Sequence, residues 1–208
     1  AIVGASGVGK TTLISLLLRF YKPSRGEILF DGIPAGGYQL QALRQRIGLV
    51  SQPPIILSGS IRSNLVYGNL DASEDELIHA CKAAGIYDFI VNLPKRLEFE
   101  VGENGVNLSE GQKQRLSIAR ALVKDPDILV MDEPTSAITE REVEHLFRMI
   151  DDLKRRGIAI IYITHKMDEV FKIADEITVL RDGEYVDCRP ADALDKKKLI
   201  ELMVGREI

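Results

Sequence analysis

"AIVGASGVGKTTLISLLL", residues 1 to 18, is the stretch on which the fold turns. "AIVG" (1–4) is a short apolar strand. A glycine-rich loop follows. From Lys10 onward Leu13, Leu16, Leu17 and Phe20 fall at i, i+3, i+4 and i+7, the period of a helix face. Inside this frame "GASGVGKT" (Gly4 to Thr11) fits G-x-x-x-x-G-K-[ST], with a strand before it and a helix after it, the context that gives the pattern meaning. Gly4, Gly7 and Gly9 let the backbone curl so that successive N–H groups point inward at phosphate. The helix start adds its positive dipole end. Lys10 supplies a point charge for β- and γ-phosphates, and Thr11 offers a hydroxyl to Mg²⁺. Ala5, Ser6 and Val8 within the loop, and Thr12 after it, belong to the same phosphate-binding set.

Three further unbroken apolar runs, "IGLV" (47–50), "ILVMD" (128–132) and "IAIIYIT" (158–164), read as strands buried on both faces. Helical patterns lie between them. After Thr139, Val143, Leu146, Phe147 and Ile150 repeat the helix spacing. Strands alternating with helices imply a parallel α/β sheet. Residues 53–124 differ. "SEDELIHACKAAG" opens with a capping box, Ser73 to Glu76, and presents Leu77, Ala80, Cys81 and Ala84 on one face. "GQKQRLSIARALV" is a second helix. This stretch is expected to be an inserted helical subdomain (53–124) in a core formed by 1–52 and 125–208. "EITVLRDGEYVD" returns to strands, and "KKKLIELMV" is a closing helix.

Composition sets bounds. The 208 residues are 45% hydrophobic and 28% charged, ordinary for one globular unit. A net charge of −4 argues against a nucleic-acid partner. No apolar run has the length of a membrane span. Cys81 and Cys188 make no disulfide framework. The chain opens on a strand stub without Met, which reads as a fragment lacking what precedes that strand.

"MDEPTSAIT" (131–139) places Asp132 at the end of a buried strand, where parallel sheets bind ligands. Asp132 is the candidate Mg²⁺ carboxylate, and one suffices because Mg²⁺ keeps its waters. Glu133 is positioned to orient or deprotonate an attacking water. Thr139-Glu140-Arg141-Glu142 is a capping box for the following helix, although an Asp at 139 would cap as well.

"LSEGQKQRLSIARAL" (108–122), together with the phosphate loop, the acidic pair, Gln52 and His165, resembles the nucleotide-binding domain of ABC transporters across essentially the whole chain. Glu110 stands where the commonest form of the motif has Gly. The resemblance implies a P-loop NTPase core with a parallel sheet flanked by helices, an inserted α-helical subdomain, and N-terminal antiparallel strands largely missing. It implies ATP and Mg²⁺, head-to-tail dimerisation with a second nucleotide-binding domain, transmembrane partners, and a place on the cytoplasmic face of a membrane. Ser109, Gly111 and Gln112 would face the partner's γ-phosphate. Gln52 would touch Mg²⁺ and the water and link core to subdomain. His165 would bond the γ-phosphate and hold Glu133. The aromatic residue that stacks on adenine in the family lies before the phosphate loop and is not in this chain.

Two flavours of the family are visible. Residues 1–124, with "LLLRFYKPSRGEILFDG" and "EVGENG", resemble exporters. From 128 onward "MDEPTSAITEREVEHLF", "IYITHKMDEVF" and "LMVGREI" resemble the ATPase subunits of ribose- and galactose-type sugar importers, in which Thr139 is usual. A composite, engineered or natural, joined between about Lys124 and Glu133, and a divergent natural subunit both fit. Three functions compete: a transport ATPase, a DNA- or ribosome-acting relative, and a scaffold with little turnover. The second normally carries long coiled-coil insertions, absent between Gln52 and Leu108. Elsewhere, His79 and His145 read as solvated, Cys81 as a small core hydrophobe, Lys196–Lys198 as a solvated helix start, and Arg115 and Arg120 as structural or interface residues.

Overall fold

Alternating apolar residues, rather than any single motif, decide which elements face which. The computed structural model describes residues 1–205. In chain order it contains β1 (Ile2–Val3), α1 (Lys10–Leu17), β2 (Leu29–Phe30), β3 (Ile33–Pro34), α2 (Leu40–Gln45) and β4 (Ile47–Val50). A helical stretch follows, α3 (Ile61–Val66), α4 (Glu74–Ala83), α5 (Tyr87–Val91) and α6 (Glu110–Leu122). Then come β5 (Ile128–Asp132), α7 (Glu140–Arg155), β6 (Ala159–Thr164), α8 (Met167–Ile173), β7 (Glu176–Arg181), β8 (Glu184–Pro190) and α9 (Lys196–Val204). The last part of "LMVGREI", residues 206–208, lies outside the described residues.

Six strands form one sheet in the order β4-β5-β6-β1-β7-β8, and β2 and β3 form a separate antiparallel ribbon. The main sheet is parallel except for β8, which returns antiparallel along β7. Its register fixes the site. Ile2 and Asp132 both lie opposite Ile163, so the chain leaves β1, β5 and β6 at one edge within a residue of each other.

Period-2 alternation along β5 splits the core. Leu129 and Met131 face α3–α7, in one apolar cluster that includes Ile61, Leu65, Leu77, Leu116, Ile118, Leu146 and Ile150. Val130 faces the other way, with Ile14, Leu18 and Leu43 of the α1–α2 layer and Ile47 of β4. A third cluster, Val3, Val170, Ile177, Val179, Leu194 and Leu199, seats α8 and α9.

The helical stretch follows its sequence closely in α4. Ser73 Oγ accepts the Glu76 N–H and the Glu76 carboxylate accepts the Ser73 N–H, closing the capping box. Leu77, Ala80, Cys81 and Ala84 are all buried, and burying Leu77 alone contributes roughly 2 kcal/mol. Burial pushes the Cys81 thiol up to about 12, so it packs as an inert hydrophobe. Gly85, at φ 66°, turns the chain out of α4. Two short helices, α3 and α5, join the two read from sequence.

Two expectations are corrected. The helix read from Lys10 ends at Leu17, before Phe20; Ile14 and Leu18 are buried, and Leu13, Leu16 and Leu17 are half-buried. Arg19 adopts a left-handed backbone (φ 54°) just past the helix, which carries Phe20 off the helical face and leaves it 55% exposed under the Arg44 guanidinium. His145 is not simply solvated. It is half-buried at the seam between α7 and the end of α4, where a Cβ at Gly85 would strike its ring. Burial and the nearby guanidinium groups of Arg115 and Arg148 hold its imidazole below the usual histidine value.

Candidate functional site

β1 delivers the chain into a loop that only glycine can trace. Gly7 and Gly9 have φ of 81° and 98°, with open space where a Cβ would sit, so backbone conformation rather than crowding selects them. Gly4 is held by crowding: a Cβ there would collide with the Leu180 carbonyl of β7. Gly9 is the N-cap of α1 and makes no side-chain cap bond. The first amides of the helix therefore remain available to an anion.

Lys10 is 7% exposed, and its ammonium donates to the carbonyls of Gly4 (2.8 Å) and Ala5 (2.9 Å). Its Nζ is also 3.8 Å from Glu133 Oε1. A buried charge needs such partners. Ser6, Gly7, Gly9, Lys10, Thr11 and Thr12 line one cleft of about 310 Å³ with Gln52, Asp132 and Glu133. Gly4 and Val8 are buried beneath it. Ala5 and Val8 instead line a neighbouring cleft of about 430 Å³ against the Arg181–Gly183 turn.

The Thr11 hydroxyl donates to Asp132 Oδ2 at 3.1 Å. Burial pushes the Asp132 carboxyl above its ordinary value; the Thr11 bond opposes this, the Glu133 charge adds to it, and Lys10 opposes it. A bound cation would relieve that cost, and a hydroxyl beside a single carboxylate is the donor set Mg²⁺ uses next to phosphate. The residues present therefore fit a magnesium–nucleotide substrate.

Glu133 has a left-handed backbone (φ 46°), uncommon without glycine. Its N–H donates to Ile163 O at 2.9 Å, and its carbonyl accepts the Ser136 hydroxyl at 2.8 Å. Gln114 of α6 donates to the next carbonyl, that of Pro134. So braced, the Glu133 carboxylate reaches His165, with Nδ1 2.8 Å from Oε2. Beneath them the buried Glu169 carboxylate accepts hydroxyls from Thr135 and Tyr162, each at 2.8 Å. Sequence reading missed Glu169, Thr135, Tyr162 and Gln114, because their partners lie on other elements of the fold, although Thr135 and Gln114 stand inside stretches that it singled out.

Ser109, Gly111 and Gln112 are not among the residues lining this cleft. They form the first turn of α6, where Ser109 and Gln112 close a capping box. Gly111 is buried, and a Cβ there would collide with the Glu142 carboxylate of α7. Glu142 accepts the Thr139 N–H (3.1 Å) and hydroxyl (3.0 Å) and lies 3.6 Å from Arg115 Nη1. Arg115 thus joins α6 to α7. Arg120, half-buried, donates to the Ile55 carbonyl at 2.7 Å and ties α6 to the segment after Gln52.

With that geometry in place, comparisons with known proteins are specific. The family model described as ABC transporter matches residues 1–136. ABC transporter B family member 18 of Arabidopsis thaliana is 44% identical over 197 residues, 95% of this chain and 16% of that protein. A putative ribose/galactose/methyl galactoside import ATP-binding protein of Pseudomonas fluorescens is 42% identical over 215 residues, 100% of this chain and 41% of that protein. Among solved structures, a bacterial Atm1-family ABC exporter with ATP bound superposes with a TM-score of 0.87 at 37% identity, covering 98% of this chain and 36% of that one. The chain thus spans well under half the length of the curated relatives it matches. Exporter-like and importer-like relatives both align along nearly the whole chain, and no junction between two origins is shown.

Proposed function

The chain belongs to the ABC transporter family, and on that premise we propose that it is the ATP-binding and ATP-hydrolysing domain of a transporter. The observation that carries this reading is the convergence, at one sheet edge, of the Lys10 ammonium, the Thr11–Asp132 pair and the Glu133–His165 pair.

The chemistry follows from the side chains. The amides around Gly7 and Gly9 and the start of α1 bind the phosphate chain, and Lys10 can exchange its loop carbonyls for β- and γ-phosphate oxygens. Thr11, Asp132 and Gln52 would hold Mg²⁺, which when bound neutralises charge on the phosphates. Glu133 takes or orients the proton of the attacking water. His165 fixes the Glu133 carboxylate, which lines the cleft, and would donate to a γ-phosphate oxygen.

Ser109, Gly111 and Gln112 stand at an anion-accepting helix start away from the cleft, which supports a head-to-tail dimer in which each copy completes the other's site. The division into a core (1–52 and 125–208) and a helical unit (53–124) fits this reading, with Gln114 as a strut between them. On the helical unit, Ile55, Tyr67, Leu70 and Val106 are exposed by 59%, 69%, 82% and 74%. Ile56 packs against Gly105 beside them, which supports a shared apolar surface for a transmembrane partner. Among the described residues no helix is long and apolar enough to cross a membrane. Mg²⁺-dependent phosphate release by this chain, compared with E133Q, tests the proposal; equal rates for the two proteins would sink it.

A further inference from the structure

We propose that Glu169 is a positioning residue for the Glu133–His165 pair, a clamp that locks together the two loops leaving β5 and β6. The proposal rests on the ATPase reading for its kinetic arm only.

The argument is geometric. Glu133 and His165 sit on different loops and meet through one 2.8 Å contact at a solvent-accessible edge. An exposed pair of this kind has little rigidity of its own. Glu169, on α8, is 8% exposed and touches neither reacting side chain. Its Oε2 accepts the Thr135 hydroxyl at 2.8 Å, two residues past Glu133. The same oxygen accepts the Tyr162 hydroxyl at 2.8 Å and lies 3.5 Å from the hydroxyl of Thr164, the residue before His165. Its Oε1 is 3.3 Å from the ammonium of Lys166, the residue after His165.

Lys166 closes the ring. Its ammonium donates to the Thr135 carbonyl at 3.0 Å and hydroxyl at 3.2 Å, and its N–H donates to the Thr164 hydroxyl at 3.0 Å. Both neighbours of His165 and the segment after Glu133 therefore share one buried carboxylate. Burial, reinforced by the Glu169 charge, pushes the Tyr162 phenol up and keeps it a donor. Buried networks with every member satisfied are rigid, and losing the acceptor leaves several donors orphaned at once. Small displacements of a general base carry large kinetic costs.

The test uses the full chain and the variants E169A, E169Q, T135V and Y162F, each checked by thermal melting. The chain has three histidines, so spectral overlap is small, and the His165 imidazole ¹H–¹³C resonance is assigned by its loss in H165A. At fixed pH, E169A is expected to shift the His165 resonance and leave that of the distant His79 in place. Steady-state kcat is expected to fall about 10- to 100-fold with KM for Mg-ATP nearly unchanged, the scale of a misplaced catalytic group. E169Q, which keeps an acceptor oxygen, recovers part of the loss. In an H165A background E169A adds no further loss, because its effect runs through His165.

A folded E169A with an unmoved His165 resonance overturns the proposal, as does a loss that multiplies on top of H165A. If E169A does not fold, Y162F and T135V decide the same question through the same resonance. If the wild-type chain turns over no ATP, the ATPase reading fails, while the His165 resonance still accepts or rejects the clamp.

Discussion

His165 Nδ1 stands 2.8 Å from Glu133 Oε2, a contact between two residues that leave neighbouring strands at one sheet edge. It makes the two side chains one functional unit. E133Q is expected to lower kcat by about 10²- to 10⁴-fold, the worth of a positioned general base, while retaining Mg-ATP binding. H165A should lower kcat in the same direction, and the double variant should be no worse than E133Q alone. Single-turnover phosphate release measures all three.

Gly111 and the Glu142 carboxylate occupy space that admits no Cβ. G111A should therefore destabilise the chain by about 1–3 kcal/mol, the usual cost of overpacking. E142A removes the obstructing group and one end of the Thr139 cap. The G111A/E142A pair should lose less than the sum of the single changes. Urea melts of the four proteins check this non-additivity.

Thr139 acts as a donor, because its hydroxyl gives its proton to Glu142 Oε2 at 3.0 Å. An ionised Asp has no proton to give and would set a second negative charge beside Glu142. That supplies the reason for Thr that capping alone did not. T139S should be nearly neutral, T139A should cost about 1 kcal/mol, and T139D should be less stable than T139S at neutral pH. Denaturant midpoints at low and at high salt check the order, since salt screens only the Asp penalty.

Asp132 gives a pH signature. Its carboxyl titrates above the usual 3.8, mainly through burial, so the folded chain holds this proton more tightly than the unfolded chain. The stabilising contribution is complete below 3.8 and is lost as pH rises through the higher folded-state value. At neutral pH the ionised group is a liability in the ligand-free protein. D132N should raise the melting temperature there, narrow its advantage at acidic pH, and abolish turnover. Mg-ATP should raise the melting temperature of the wild type more than that of D132N.

Sequence and structure part company along a physical line. The phosphate loop, the end of β5 and the first turn of α6 were legible because each is fixed by neighbours in the chain: a positive-φ glycine, a run of apolar residues, a cap. The capping box at Ser73 and the buried face of α4 were legible for the same reason. The apolar period of α1 was read on to Phe20 because Arg19 turns left-handed past the helix, a local event that periodicity does not register. His145 against Gly85, Glu142 against Gly111 and Glu169 beneath His165 were not legible at all. Each is a polar residue that reads as helix surface until a partner far along the chain is folded onto it.

The apolar cluster beneath the helical stretch joins Leu116 and Ile118 of α6 to Leu146 and Ile150 of α7 across Leu129 and Met131. It spans the stretch from Lys124 to Glu133, across which exporter-like and importer-like relatives both align. The two helices and β5 form one packed layer, in which a single mismatched methylene is felt as a cavity or a clash. Core residues on either side of that stretch are therefore free to vary only together.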